Sequence, residues 1–265
     1  MIPVVIIHNG NQEYFNTVLK QAAKLNNVIL LGDTKPSFDK VSFVDSRLLN
    51  KDVDKFSGLY EHLTSGSYEY ELFCYNRWFV LRNLMELEKL DVVFHIDSDV
   101  LLFSDVNKEW RKFDQYDFTL LHRSAAISSF ITRRGINNFC DMLLSIYGNK
   151  SGYPFKKIKS HFLIRQECGL AGGVCDMTLL EWFHYHSEFG GGPGRVGEMM
   201  QIIEGSTYDH NINAQDQGFS FVNGMKNVQI LNGKPYVYNE KLKKDISFNS
   251  LHFQGMAKSK IKENI

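Results

Sequence analysis

Along the first hundred residues, apolar and polar stretches alternate in the rhythm of a βαβ chain. Val4-Val5-Ile6-Ile7 is a β-branched run that breaks at the polar turn His8-Asn9-Gly10-Asn11. Phe15, Val18, Leu19, Ala22 and Leu25 then recur at helical spacing, Asn26-Asn27 stops them, and Val28-Ile29-Leu30-Leu31 returns to strand. The turn after the first strand therefore faces the ligand-binding end of the sheet. A third strand is expected from Val41 to Asp45, and a weakly patterned helix around Phe56, Leu59, Tyr60 and Leu63. From Tyr68 to Lys89 a wide apolar stripe predicts a long helix packed on the sheet. Val92-Val93-Phe94-His95-Ile96 follows, apolar at nearly every position, which is the pattern of a strand covered on both faces.

Downstream the same reading gives a strand over Asp117 to His122 and a helix over Gly135 to Tyr147. It then gives a basic loop from Lys150 to Lys159 around Pro154, a small-residue strand from Ala171 to Met177, and an aromatic helix from Thr178 to His186. Four glycines in Gly190-Gly191-Gly192-Pro193-Gly194 predict the most flexible stretch of the chain, a lid or a plain surface loop. Helical spacing is expected around Val196, Met199, Met200 and Ile203. Short apolar elements follow at Phe219 to Val222, Val228 to Leu231 and Pro235 to Tyr238. No repeat, low-complexity tract or linker interrupts the chain, so residues 1–265 read as one domain.

Composition adds exclusions. The chain has 265 residues, 43% hydrophobic and 23% charged, with a formal net charge of zero. The balance gives no reason to expect a nucleic-acid partner. The cysteines at 74, 140, 168 and 175 lack the paired spacing of a zinc site and predict free thiols in a reducing compartment. No apolar run is long enough to span a membrane, and Met1-Ile2-Pro3 leads straight into a strand. These features predict a cytoplasmic protein, or one peripheral to the inner face of a membrane. Lys241, Lys243, Lys244, Lys258, Lys260 and Lys262 cluster near the end and predict weak contact with anionic lipid at most.

The chemistry concentrates at Asp97-Ser98-Asp99, directly after the covered strand. Two carboxylates one residue apart are costly at a buried strand end unless a cation neutralises them. Open α/β sheets bind ligands beyond the carboxyl ends of their strands, and hard oxygen donors suit Mg²⁺ or Mn²⁺. Near the end of the chain, Leu251-His252-Phe253-Gln254-Gly255-Met256-Ala257-Lys258 supplies a histidine, a glycine and a lysine in close succession. Arg77, on the long helix, reads either as a surface residue or as a partner of the carboxylates or of a phosphate.

Taken together, these motifs resemble those of the GT-A glycosyltransferases, and among them the family-eight group that includes the lipopolysaccharide galactosyltransferases and glycogenin. The resemblance rests on five places along almost the whole chain. Asp97-Ser98-Asp99 is similar to the family's Asp-x-Asp, and His252-Phe253-Gln254-Gly255-Met256-Ala257-Lys258 to its His-Phe-x-Gly-x-x-Lys; relatives carry Pro-Trp where this chain has Ser259-Lys260. The resemblance implies Asp97, Asp99 and His252 as ligands of Mn²⁺ or Mg²⁺, with Gly255 and Lys258 on the donor diphosphate. It implies donor contacts from Asn9, Asn11, Arg77, Ser98 and Gly173, the last in Ala171-Gly172-Gly173-Val174 where relatives have Asn-x-Gly-Val. It places Asp216 and Gln217 on the catalytic side of the donor sugar. The implied fold is α/β of the GT-A, nucleotide-diphospho-sugar transferase kind, a Rossmann-like mixed sheet flanked by helices. The implied activity is transfer of a hexose from a UDP-sugar to a hydroxyl of a saccharide or glycolipid acceptor, with retention of configuration. Two alternatives stay open: an inverting transferase with Asp216 as general base, and a sugar-nucleotide-binding protein without turnover.

Overall fold

The computed structural model describes residues 1–264. Its strands are β1 (Val4–His8), β2 (Val28–Gly32), β3 (Val41–Asp45), β4 (Val92–Ile96), β5 (Val100–Leu102), β6 (Phe118–Leu120) and β7 (Ser128–Thr132). They continue as β8 (Val196–Glu198), β9 (Ser206–Tyr208), β10 (Phe221–Val222), β11 (Met225–Lys226), β12 (Val228–Leu231), β13 (Lys234–Asn239) and β14 (Lys244–His252). The helices are α1 (Phe15–Ala22), α2 (Val53–Leu59), α3 (Tyr68–Leu87), α4 (Val106–Glu109), α5 (Arg133–Gly148), α6 (Tyr153–Glu167) and α7 (Asp176–Tyr185), with a 3-10 helix over Gly255–Asn264.

The architecture is mixed α/β. Seven strands form one sheet in the order β3-β2-β1-β4-β7-β6-β8, parallel except where β7 runs antiparallel to β4 and β6. Alternation along the central strands sorts side chains onto two cores. Val5, Ile7 and Val93 pack against α3 and α5, while Val4, Ile6, Phe94 and Ile96 pack toward α1 and the C-terminal strands. The long helix α3 starts at Ser67, whose hydroxyl accepts from the backbone N–H of Tyr70, and Glu69 and Glu71 stand in its first turn near the positive end of the dipole.

A second sheet runs β12-β13-β14-β5, with β9 alongside β14. Its register matters most for function. Because β5 follows Asp99 directly and pairs antiparallel with β14, His252 falls opposite Val100, and the N–H of Phe253 donates to the Asp99 carbonyl at 3.0 Å.

Three expected elements differ. The segment around Pro154 is the helix α6, not a loop. Proline is tolerated in a first turn, and Phe155, Ile158 and Phe162 bury one side. Ala171 to Met177 is no strand: Gly173 makes one bridge to Thr64, and Asp176 already opens α7. Val196 to Ile203 is not helical, because Val196 to Glu198 pair with β6 as β8.

Candidate active site

Open parallel sheets bind ligands where neighbouring crossovers leave in opposite directions. Here that place lies between β1, which continues to β2 on one side, and β4 on the other. The carboxyl ends of both strands, His8-Asn9 and Asp97-Ser98-Asp99, line a cavity of about 480 Å³ with Gln12, Tyr14, Arg77 and Lys258. Residues from both ends of the chain thus meet around one pair of carboxylates.

Asp99 is buried. His252 Nε2 lies 3.4 Å from its Oδ1 and Lys258 Nζ 3.2 Å from its Oδ2. The ring of His252 is fixed from behind by a hydrogen bond of 2.5 Å between Nδ1 and the carbonyl of His210. Nδ1 must donate in that bond, so Nε2 is the nitrogen that faces Asp99. Burial disfavours the charged form of His252, but the Asp99 carboxylate outweighs it and the pKa is raised. Lys258 is raised in the same way, Asp99 overcoming its desolvation. A carboxylate facing an imidazole nitrogen that calls for a positive charge between them, with a carbonyl orienting the ring, is a donor set that fits a divalent cation.

Asp97 is held differently. Its Oδ1 takes Arg77 Nη1 at 2.9 Å and lies 3.4 Å from His95 Nε2. Burial opposes its ionisation, yet Arg77 and His95 hold its carboxyl well below the usual carboxylate range. Arg77 also reaches Asp176 at 2.7 Å, and Trp78 Nε1 donates to the same carboxylate oxygen at 3.1 Å. Arg77 is therefore no surface residue: it bridges two carboxylates at the wall of the cavity. Asp97 and Asp99 line the cavity and His252 reaches Asp99, but among the described residues the three do not form a group with every ligating atom within 4.8 Å of the others.

The remaining expected residues separate. Asn9 and Ser98 line the cavity, whereas Asn11 is exposed beside it and Gln12 takes the wall position. Gly255 has φ of +61°, and a Cβ there would meet nothing, so the turn itself calls for glycine. Gly173 faces protein: a Cβ would lie 2.2 Å from the Leu63 carbonyl oxygen, so its closest neighbour is the Leu63-Thr64 backbone. Gln217 lines a second cavity, of about 460 Å³, with Arg123, Tyr185 and Glu198, and its amide donates to the Met200 carbonyl at 2.9 Å. Asp216 is paired with Lys226 at 3.1 Å. Burial lowers His210 to about 4, which leaves its imidazole neutral.

Sequence reasoning missed His95 and Asp176. The signal for the first was a histidine inside an apolar strand, and for the second a carboxylate at the start of an aromatic helix, where the dipole favours it.

No protein-family profile and no curated protein matches the sequence. Solved structures similar to the chain include glycosyltransferases. Mouse xyloside xylosyltransferase 1 in its apo form is 8% identical, with a TM-score of 0.49 over 74% of this chain and 84% of that one. The galactosyltransferase LgtC, solved with donor and acceptor sugar analogs, is 10% identical, with a TM-score of 0.46 over 99% and 95%. A glycosyltransferase involved in glycosylating the major capsid of PBCV-1 is 9% identical, with a TM-score of 0.41 over 98% and 97%. At such values the likeness carries no part of the functional reading, which rests on the residues of the site.

Proposed function

We propose that the chain is a metal-dependent glycosyltransferase that moves a hexose from a UDP-sugar to a hydroxyl acceptor with retention of configuration. The observation that carries this reading is the meeting of His252 and Lys258 with Asp99 beside Asp97, at the switch point of the sheet. Asp99, His252 and Asp97 would hold Mn²⁺, which when bound supplies positive charge to a diphosphate as it leaves. An imidazole joined to carboxylates suits Mn²⁺ better than Mg²⁺.

The chain's own residues do the rest. Lys258 adds a cation at the wall of the cavity, where a leaving diphosphate would gain from it. Arg77 acts through Asp97, fixing that carboxylate in place from behind. Asn9, Ser98 and Gln12 offer amide and hydroxyl groups to the nucleoside, and Gln217 offers an amide on the side of the second cavity. Asp216 makes a poor general base while Lys226 holds it, which favours retention over inversion. Hydrolysis of UDP-glucose and UDP-galactose in water, with and without Mn²⁺, tests the reading. Metal-dependent release of UDP is expected, and NMR of the first-formed sugar should show the donor's anomer. Binding without turnover would instead leave a sugar-nucleotide-binding protein.

A further inference from the structure

A second group of ligating side chains stands outside this site. A nitrogen of His122, a nitrogen of His210 and a carboxylate oxygen of Asp216 all lie within 4.8 Å of one another. The two imidazoles meet edge to face with ring centroids 4.4 Å apart. The turn after β6, the loop after β9 and the segment before β10 bring them together from far apart in sequence.

The turn that presents His122 is held in an unfavourable conformation. His122 and Arg123 have φ of 52° and 64°, a region costly for residues with a Cβ. Their N–H groups both donate to the Glu198 carboxylate, at 3.1 and 3.0 Å, which locks the turn. Nδ1 of His210 and Oδ2 of Asp216 are buried without a hydrogen-bond partner, and an orphaned buried polar atom calls for an explanation. Behind them, one ammonium, Lys226, is shared between Asp209 at 3.0 Å and Asp216 at 3.1 Å. The other oxygen of Asp209 accepts from the backbone N–H of His252 at 3.0 Å, so the ammonium is divided between two carboxylates and Oδ2 of Asp216 is left facing the imidazoles.

We propose that His122, His210 and Asp216 form a binding site for a zinc-class dication, with two imidazoles and one carboxylate as protein ligands and the remaining positions left to water. Two imidazoles favour Zn²⁺, whereas the carboxylates at Asp97 and Asp99 favour Mn²⁺, so the chain would sort two metals by donor type. Residue 210 links the two sites, its carbonyl orienting His252 and its ring facing the second metal. His122 lines the cavity that also holds Glu198 and Gln217, which gives an ion a path from solvent.

Equilibrium dialysis of the full chain against one equivalent of Zn²⁺, with bound metal counted by atomic emission, tests the assignment. Wild type and Asp99→Asn should each hold one zinc. His122→Ala and Asp216→Asn should lose most of it with unchanged circular dichroism, and since His122 is exposed its removal leaves the fold intact. Wild type that holds no zinc overturns the proposal, as does His122→Ala that keeps it. Zinc lost in Asp99→Asn and kept in His122→Ala would assign the metal to the first site and overturn the proposal equally. No sugar nucleotide is needed, so this result is independent of whether the chain transfers a hexose.

Discussion

Arg77 joins the site to the helical layer behind it. Its guanidinium spans Asp97 and Asp176 while its side chain is mostly buried. Removing one member of such a cluster leaves the others charged and desolvated, at a cost of about 3–5 kcal/mol. Arg77→Met should therefore lower the urea midpoint strongly, and Arg77→Met with Asp176→Asn should recover part of that loss, because Asp97 then remains as the one carboxylate without its guanidinium and keeps only His95 beside it. Asp99→Asn is expected to act mainly on turnover. It removes charge from the cation side of the site while keeping the shape, so Mn²⁺-dependent UDP release should fall by about a hundredfold or more with the fold intact, while the urea midpoint drops modestly because His252 and Lys258 lose the carboxylate they face. Turnover above a tenth of wild type would remove Asp99 from the metal site. Gly173 separates packing from binding. An alanine there meets the Leu63 carbonyl and Thr64 Cα at 2.2 and 2.6 Å, so Gly173→Ala should destabilise by about 3 kcal/mol. UDP affinity in the fraction that stays folded should not change.

The glycine-rich stretch is packed as a turn at Gly191 and Gly192. Gly191 is packed so that a Cβ would lie 2.2 Å from the Phe183 carbonyl oxygen, and the N–H of Gly192 donates to that same oxygen at 2.9 Å. Arg195 and Val196 donate in turn to Gly192. A lid needs weak local contacts, so hydrogen exchange across Gly190 to Gly194 should be the same with and without UDP and Mn²⁺; slowed exchange on binding would restore the lid. Composition alone could not distinguish these, because glycine is used equally for flexibility and for close approach. The strands β1 to β4 and the helix α3 were legible because burial on two faces, or along one stripe, writes its own period. Val196, Met199 and Met200 misled because their spacing is helical, yet Val196 enters one core and both methionines enter the other, across the sheet. The motif Asp97-Ser98-Asp99 announced a site, but only the antiparallel register of β14 on β5 determines that His252 stands beside Asp99. That register is a long-range property that no local window contains.

The end of the chain folds back onto its beginning, and this changes what its basic residues can do. No helix among the described residues is long and apolar enough to cross a membrane, so any lipid contact would have to come from charge and surface apolar groups. Each lysine near an anionic surface contributes roughly 1 kcal/mol, and six in one exposed tail would be enough for salt-sensitive binding. The structure divides them. Lys258 faces Asp99, Lys262 pairs with Glu13 from the start of the chain, and Lys260 pairs with Glu263 at 3.0 Å. Lys241, Lys243 and Lys244 sit at the turn between β13 and β14, where Glu240 and Asp245 offset two of the three charges. The 3-10 helix is anchored by Ala257 and Ile261, both buried, which leaves Met256 as a single exposed apolar side chain rather than a face to insert. The expected outcome of sedimentation with liposomes at moderate salt is equal pelleting with anionic and neutral lipid. A surplus with anionic lipid that disappears when Lys241, Lys243 and Lys244 are changed to glutamine would instead identify the β13–β14 turn as a membrane contact.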